Sequence, residues 1–76
     1  MKEWITGRNP IYEVLRAKRR QASRLVLARG IRIEGQLSQI LQMARERKLI
    51  IEETPRDGLD PLGYNHQGVA LECSSY

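Results

Sequence analysis

Apolar positions along the chain switch between a period of two and a period near 3.6, and the switches mark out strands and helices in alternation. Glu3-Trp4-Ile5-Thr6 reads as a short strand ended by Gly7. Asn9-Pro10 then signals a helix start, with Asn9 expected to cap free N–H groups and Pro10 at the first helical position. Ile11, Val14 and Leu15 follow at i, i+3 and i+4, and Lys18-Arg19-Arg20-Gln21 closes the helix with cations near its negative pole. Arg24-Leu25-Val26-Leu27-Ala28 is a nearly continuous apolar run, the pattern of a strand buried on both faces, and Gly30 ends it. A second helix is expected to begin within residues 32–36, with Leu37, Ile40, Leu41 and Ala44 on its buried face and Arg45, Arg47 and Lys48 at its end.

Residues 49–53 read as the third strand. Thr54-Pro55-Arg56-Asp57 has a cap residue, a proline behind it and an acid three positions after the cap, so it predicts a short helical turn on which Leu59 and Leu62 can pack. Asp57 and Asp60, three apart on that turn, are best read as caps. Residues 64–68 read as a loop and residues 69–73 as the fourth strand. This order implies an open α/β sheet with helices on both faces, a three-layer α/β/α sandwich. Pattern alone leaves open the strand order and the direction of the last strand.

Size narrows the function. A chain of 76 residues is one small domain, which buries only roughly 60% of its unfolded surface. It has little room for both a core and a deep, water-excluded active site, so a complete enzyme is disfavoured. Hydrophobic residues make up 41% and charged residues 29%, the balance of a folded domain and not a disordered one. The net charge of +4 is unevenly spread. Lys2, Arg8, Arg16, Lys18, Arg19, Arg20, Arg24, Arg29 and Arg32 face only Glu3 and Glu13 in residues 2–32, while carboxylates outnumber cations in residues 33–76. That asymmetry points to an anionic partner for the first half. Cys73 is the single cysteine and lacks metal-ligand spacing, which fits a cytoplasmic location. There is no apolar run of membrane-spanning length and no signal-peptide pattern at the start.

In an alternating α/β chain the loops that leave the strands gather at one end of the sheet, where ligands prefer to bind. Arg8 and Asn9, Arg29 and Arg32, and Pro55-Arg56 occupy such loops, the first two beside helix starts whose N–H groups favour phosphate. His66 and Gln67 join them if the last strand runs antiparallel. Lys18, Arg19 and Arg20 follow a helix and should form a secondary basic patch at the opposite end. Each position also has a plainer reading: a salt bridge for Arg8, a helix cap for Asn9, a solvated helix end for Lys18 to Arg20, and turn-fixing hydrogen bonds for His66 and Gln67. Trp4 reads as packing, since the aromatic-basic interleaving of single-strand binders is missing. Catalytic candidates are few: His66 has no nucleophile near it in sequence, and Cys73 sits in an apolar strand where a thiol is inert. No catalytic, cofactor-binding or metal-binding set is expected. On the residues alone, the chain is a small basic α/β binding module.

Three segments resemble one family. Residues 5–17, with Gly7-Arg8-Asn9-Pro10, look like the opening strand, turn and helix of the substrate-binding domain attached to SpoU-type RNA ribose 2′-O-methyltransferases. Residues 24–28 and the helix through Leu37 and Ala44 resemble its middle, and Leu59-Asp60 with His66-Gln67-Gly68-Val69-Ala70 its closing segment. The resemblance covers nearly the whole chain. It implies an α/β/α fold around a four-stranded mixed sheet, similar to the ribosomal proteins that bind kink-turn RNA. It further implies that residues 1–73 bind structured RNA and that residues 74–76 begin a linker to a C-terminal methyltransferase domain. That second domain would bind S-adenosylmethionine and form the homodimer, so this chain alone is expected to have no catalytic activity. The nearest branch modifies a guanosine of large-subunit ribosomal RNA; a transfer-RNA substrate is the alternative, as is a module that docks on its own catalytic domain. By motif, Arg8, Asn9, His66 and Gln67 are the RNA-contacting candidates. Gly58 departs from the pattern and should weaken the short helix by up to ~1 kcal/mol.

Overall fold

The computed structural model describes residues 2–18, 20–63 and 65–74. Its elements are β1 (Lys2–Thr6), α1 (Arg8–Ala17), β2 (Ala22–Ala28), α2 (Gln36–Glu46), β3 (Ile50–Thr54), two 3-10 turns (Arg56–Gly58 and Asp60–Leu62) and β4 (Val69–Ser74). The four strands form one sheet in the order β1-β4-β2-β3. β4 runs antiparallel to both β1 and β2, whereas β2 and β3 are parallel. The direction that pattern left open is thereby fixed: β1, β2 and β3 end, and β4 begins, along one rim.

The sheet is the middle of an α/β sandwich. Both long helices lie on one face, where Ile11 and Leu15 of α1 and Leu37, Ile40 and Ala44 of α2 meet Leu25, Leu27, Val69, Leu71 and Cys73. On the other face Val26, Ala28 and Ala70 pack against Leu59, with Trp4 and Leu62 at the margin. The third layer is thus thin, built from 3-10 turns. β2 lies between two neighbours and sends alternate apolar side chains to both layers, which explains its unbroken apolar run. Leu59 and Leu62 pack as the sequence pattern predicts.

The local start signals are corrected in three places. α1 begins at Arg8 with Gly7 as its cap residue, so Asn9 lies inside the helix and caps nothing. Gly7 takes φ 93°, a conformation open to glycine at little cost. Thr54 is the last residue of β3, not a cap, and neither 3-10 turn has a side-chain cap from Asp57 or Asp60. Gly58 is explained by contact: a Cβ there would collide with the Thr54 side chain. β4 continues through Ser74, whose N–H donates to Gln21 O at 2.9 Å, so the strand runs one residue beyond its apolar pattern.

Candidate nucleic-acid interface

The backbone ties the rim together. Gly7 N–H donates to His66 O at 3.2 Å, Ala28 N–H to Gly68 O at 2.9 Å, and Arg29 N–H to Thr54 O at 2.8 Å. The first two bonds hold the ends of β1 and β2 against the segment that leads into β4, and the third ties the end of β3 to that of β2. Arg8, Arg29, His66 and Gln67 are therefore brought to one end of the sheet, with Arg32 on the same exposed loop as Arg29. Arg56 joins them from the first 3-10 turn, its Nη1 lying 3.5 Å from where a Cβ on Gly68 would stand. Arg56 was recognisable as a strand-end residue, but only the folded turn shows how near it comes to Gly68.

Electrostatics separates two kinds of arginine. Arg16 pairs with Glu13 at 3.7 Å and Arg20 with Glu3 at 2.7 Å. Arg24 bonds both Glu52 at 2.8 Å and Glu72 at 2.9 Å, and those carboxylates, Glu52 first, raise its pKa further above the guanidinium's usual value. Arg8, Arg29, Arg32 and Arg56 have no ion pair or side-chain hydrogen bond among the described residues. Arg8 Nε is shielded from solvent with its N–H unspent. These four unspent guanidinium groups stand at the end where the strands finish, whereas Arg45, also without a partner among the described residues, lies in the last turn of α2.

His66 and Gln67 shape this end from within. His66 is 7% exposed, and its Nδ1 accepts the Gly68 N–H at 2.9 Å. Its Nε2 therefore carries the proton and donates to Asp60 Oδ1 at 2.7 Å. Gln67 Oε1 accepts the Arg8 N–H at 2.9 Å and so caps α1 across 59 residues of sequence. Asn9 Oδ1 accepts from Gln36 Nε2 at 3.3 Å, stapling the starts of α1 and α2 together. At α1 the anion-binding capacity expected of a helix start is thus partly consumed, because Gln67 takes one N–H and Pro10 has none. α2 starts at Gly35 without a side-chain cap.

The secondary patch divides. Lys18 is exposed at the C-terminal end of α1, opposite the rim. Arg20 is spent on Glu3 and on Ser74 O at 3.0 Å, a structural tie and not a free cation. Arg19 lies outside the described residues. Among the described residues there is no cluster of three or more potential metal ligands and no helix long and apolar enough to cross a membrane. Cys73 is fully buried, and burial raises its thiol pKa.

The family model described as RNA 2′-O ribose methyltransferase substrate binding, of the SpoU class, matches residues 4–76. A protein of Mycolicibacterium vanbaalenii described as an uncharacterized tRNA/rRNA methyltransferase is 38% identical over 76 residues, covering 97% of this chain and 24% of its own length. Similar proteins carrying the same description occur in Mycolicibacterium gilvum, at 40% identity, and Mycobacterium leprae, at 37%, with the same coverage. The chain spans about a quarter of the length of these relatives. It belongs to the family of SpoU-type substrate-binding domains of RNA 2′-O ribose methyltransferases.

Proposed function

We infer that this chain is the part of a longer ribose 2′-O-methyltransferase that grips the RNA, with Arg8, Arg29, Arg32 and Arg56 meeting phosphodiesters along the rim. The observation that carries this reading is that four unspent guanidinium groups gather where three strands end and the fourth begins. Their planar donor forks match phosphate oxygens, and such contacts fix register without reading sequence. His66 and Gln67 support the site by holding the turn that presents Gly68 and by capping α1. Asn9 does so by joining the two helix starts. Lys18, with Arg19, is a secondary contact for RNA that extends past the opposite end.

Chemistry belongs elsewhere in the longer protein. S-adenosylmethionine, bound by a separate catalytic domain, supplies the methyl group for the ribose 2′-oxygen. This chain's residues hold the RNA so that one ribose reaches that domain. The substrate we favour is a guanosine of large-subunit ribosomal RNA, acted on in the cytoplasm by a protein that dimerises through its catalytic domain.

The test is binding of the purified chain to a structured large-subunit ribosomal RNA fragment and to a transfer RNA, across a salt series. Binding should weaken steeply with salt, by roughly 0.7–0.9 log units per log unit of salt for each phosphate engaged. Arg8→Ala with Arg32→Ala should weaken it far more than Lys18→Ala. The opposite ranking would refute the choice of rim, and tighter binding to the transfer RNA would reassign the substrate.

A further inference from the structure

A groove of about 490 Å³ runs between α2 and β3 on the helical face, walled by Ile31, Ile33, Leu41 and Ile51, with Arg45 and Glu53 also lining it. Its volume falls in the range of small-ligand clefts. Ile33 and Ile51 are exposed there, at 42% and 36%. Arg45 follows Leu41 by one helical turn, so both sit on the same side of α2. Glu53 pairs in register with Leu27 and shares its side of the sheet, while Glu52 faces the other way and is spent on Arg24. Neither Arg45 nor Glu53 has an ion pair or hydrogen bond among the described residues. An apolar slot thus carries a free donor fork and a free carboxylate that are not paired with each other.

We propose that this groove is a subsite for one unstacked guanine base of the bound RNA. The proposal rests on the RNA-binding reading above and adds a base-specific contact to it. Continuity with the rim supports an RNA occupant: Ile31 reaches from Gly68 into the groove, and Arg29 and Arg32 alternate with Ile31 and Ile33 on a single loop. A nucleotide whose phosphates lie on those arginines has its base beside the aliphatic walls. Flat rings bury well between aliphatic side chains, and single-stranded RNA is read by the edges of splayed-out bases. The two polar groups select among bases. A carboxylate needs adjacent donors, which guanine supplies as N1–H and the 2-amino group. A guanidinium fork matches the acceptors O6 and N7 on the other edge. Adenine and cytosine place an acceptor beside their amine, and uracil flanks one N–H with two carbonyls, so each meets the carboxylate with repulsion.

The experiment compares all-uridine nonamers with nonamers carrying one central guanosine or inosine, at low salt, by fluorescence anisotropy with the purified chain. The guanosine oligomer should bind on the order of tenfold more tightly than the all-uridine one. Inosine, lacking the 2-amino group, should fall between them. Methyl NMR signals of Ile33, Leu41 and Ile51 should shift with the guanosine oligomer, Glu53→Gln should reduce the guanosine-to-uridine ratio, and Glu53→Gln combined with Arg45→Ala should erase it. Equal affinities, or a ratio unchanged by Glu53→Gln combined with Arg45→Ala, would overturn the subsite while leaving the rim reading intact. So would binding of the ribosomal RNA fragment with no binding of the guanosine oligomer. Failure of the fragment and every oligomer to bind would overturn both.

Discussion

Gln67 holds φ 54°, a left-handed backbone that glutamine rarely adopts, while its side chain caps α1. The two roles oppose each other energetically, since the backbone costs roughly 1–2 kcal/mol and a cap returns about 1 kcal/mol. Gln67→Ala keeps the cost and loses the cap, so urea unfolding should show a loss of about 1 kcal/mol. Gln67→Gly loses the cap but relieves the backbone and should recover most of that; equal losses would mean that the left-handed backbone carries no cost, and no loss in Gln67→Ala would mean that the cap carries no weight. Cys73 offers a second test at this scale. Burial raises its thiol pKa above the ordinary 9.0. The native state therefore keeps the thiol protonated where the unfolded chain ionises, and the stability this gives is lost as pH rises from about 9.0 through the folded value. The urea midpoint of the wild type should fall on that alkaline limb more steeply than that of Cys73→Ala, and alkylation at pH 8 should follow unfolding. Alkylation of the folded chain at the rate of a free thiol would contradict the burial.

The elements show which signals in a sequence are local and which are not. Apolar spacing in residues 11–15 and 37–44 marks both helices because one stripe of each meets the sheet, and the unbroken run of β2 reflects its two covered faces. Start signals misled at Asn9 and Thr54 because the caps here are not supplied by chain neighbours. The N–H at the start of α1 is taken by a side chain 59 residues away, and the carboxylate of Asp60 is used by His66 rather than by a helix start. The thin third layer has its own consequence. Leu59 is fully buried against Val26, Ala28 and Ala70 and is the main apolar anchor of the 3-10 turns. Leu59→Ala should cost about 2–5 kcal/mol by thermal or urea unfolding, a serious loss for so small a domain. The half-covered Leu62 should cost clearly less when replaced by alanine; equal effects would mean that the layer has no such anchor.

At the scale of the molecule, chain order alone was enough to expect that strand-end loops share one side, and β4 running antiparallel adds His66 and Gln67 to it. What order could not reveal is which arginines are spent. Arg24 is consumed by Glu52 and Glu72 on the two strands flanking its own, and Arg20 by Glu3, pairings that exist only once the strands are in register. Formal charge therefore overstates what an anion meets, and position has to be separated from total. Arg32→Glu and Lys48→Glu change the net charge equally, yet one lies on the rim loop and the other at the far end of α2. If RNA responded only to net charge, the two variants would bind the ribosomal RNA fragment alike. Binding at the rim instead requires Arg32→Glu to weaken it far more and to lower the salt slope by about 1, the loss of one phosphate contact, while Lys48→Glu leaves that slope in place. Identical slopes and affinities for the two variants would show that the unspent guanidinium groups act as diffuse charge and not as a docking edge.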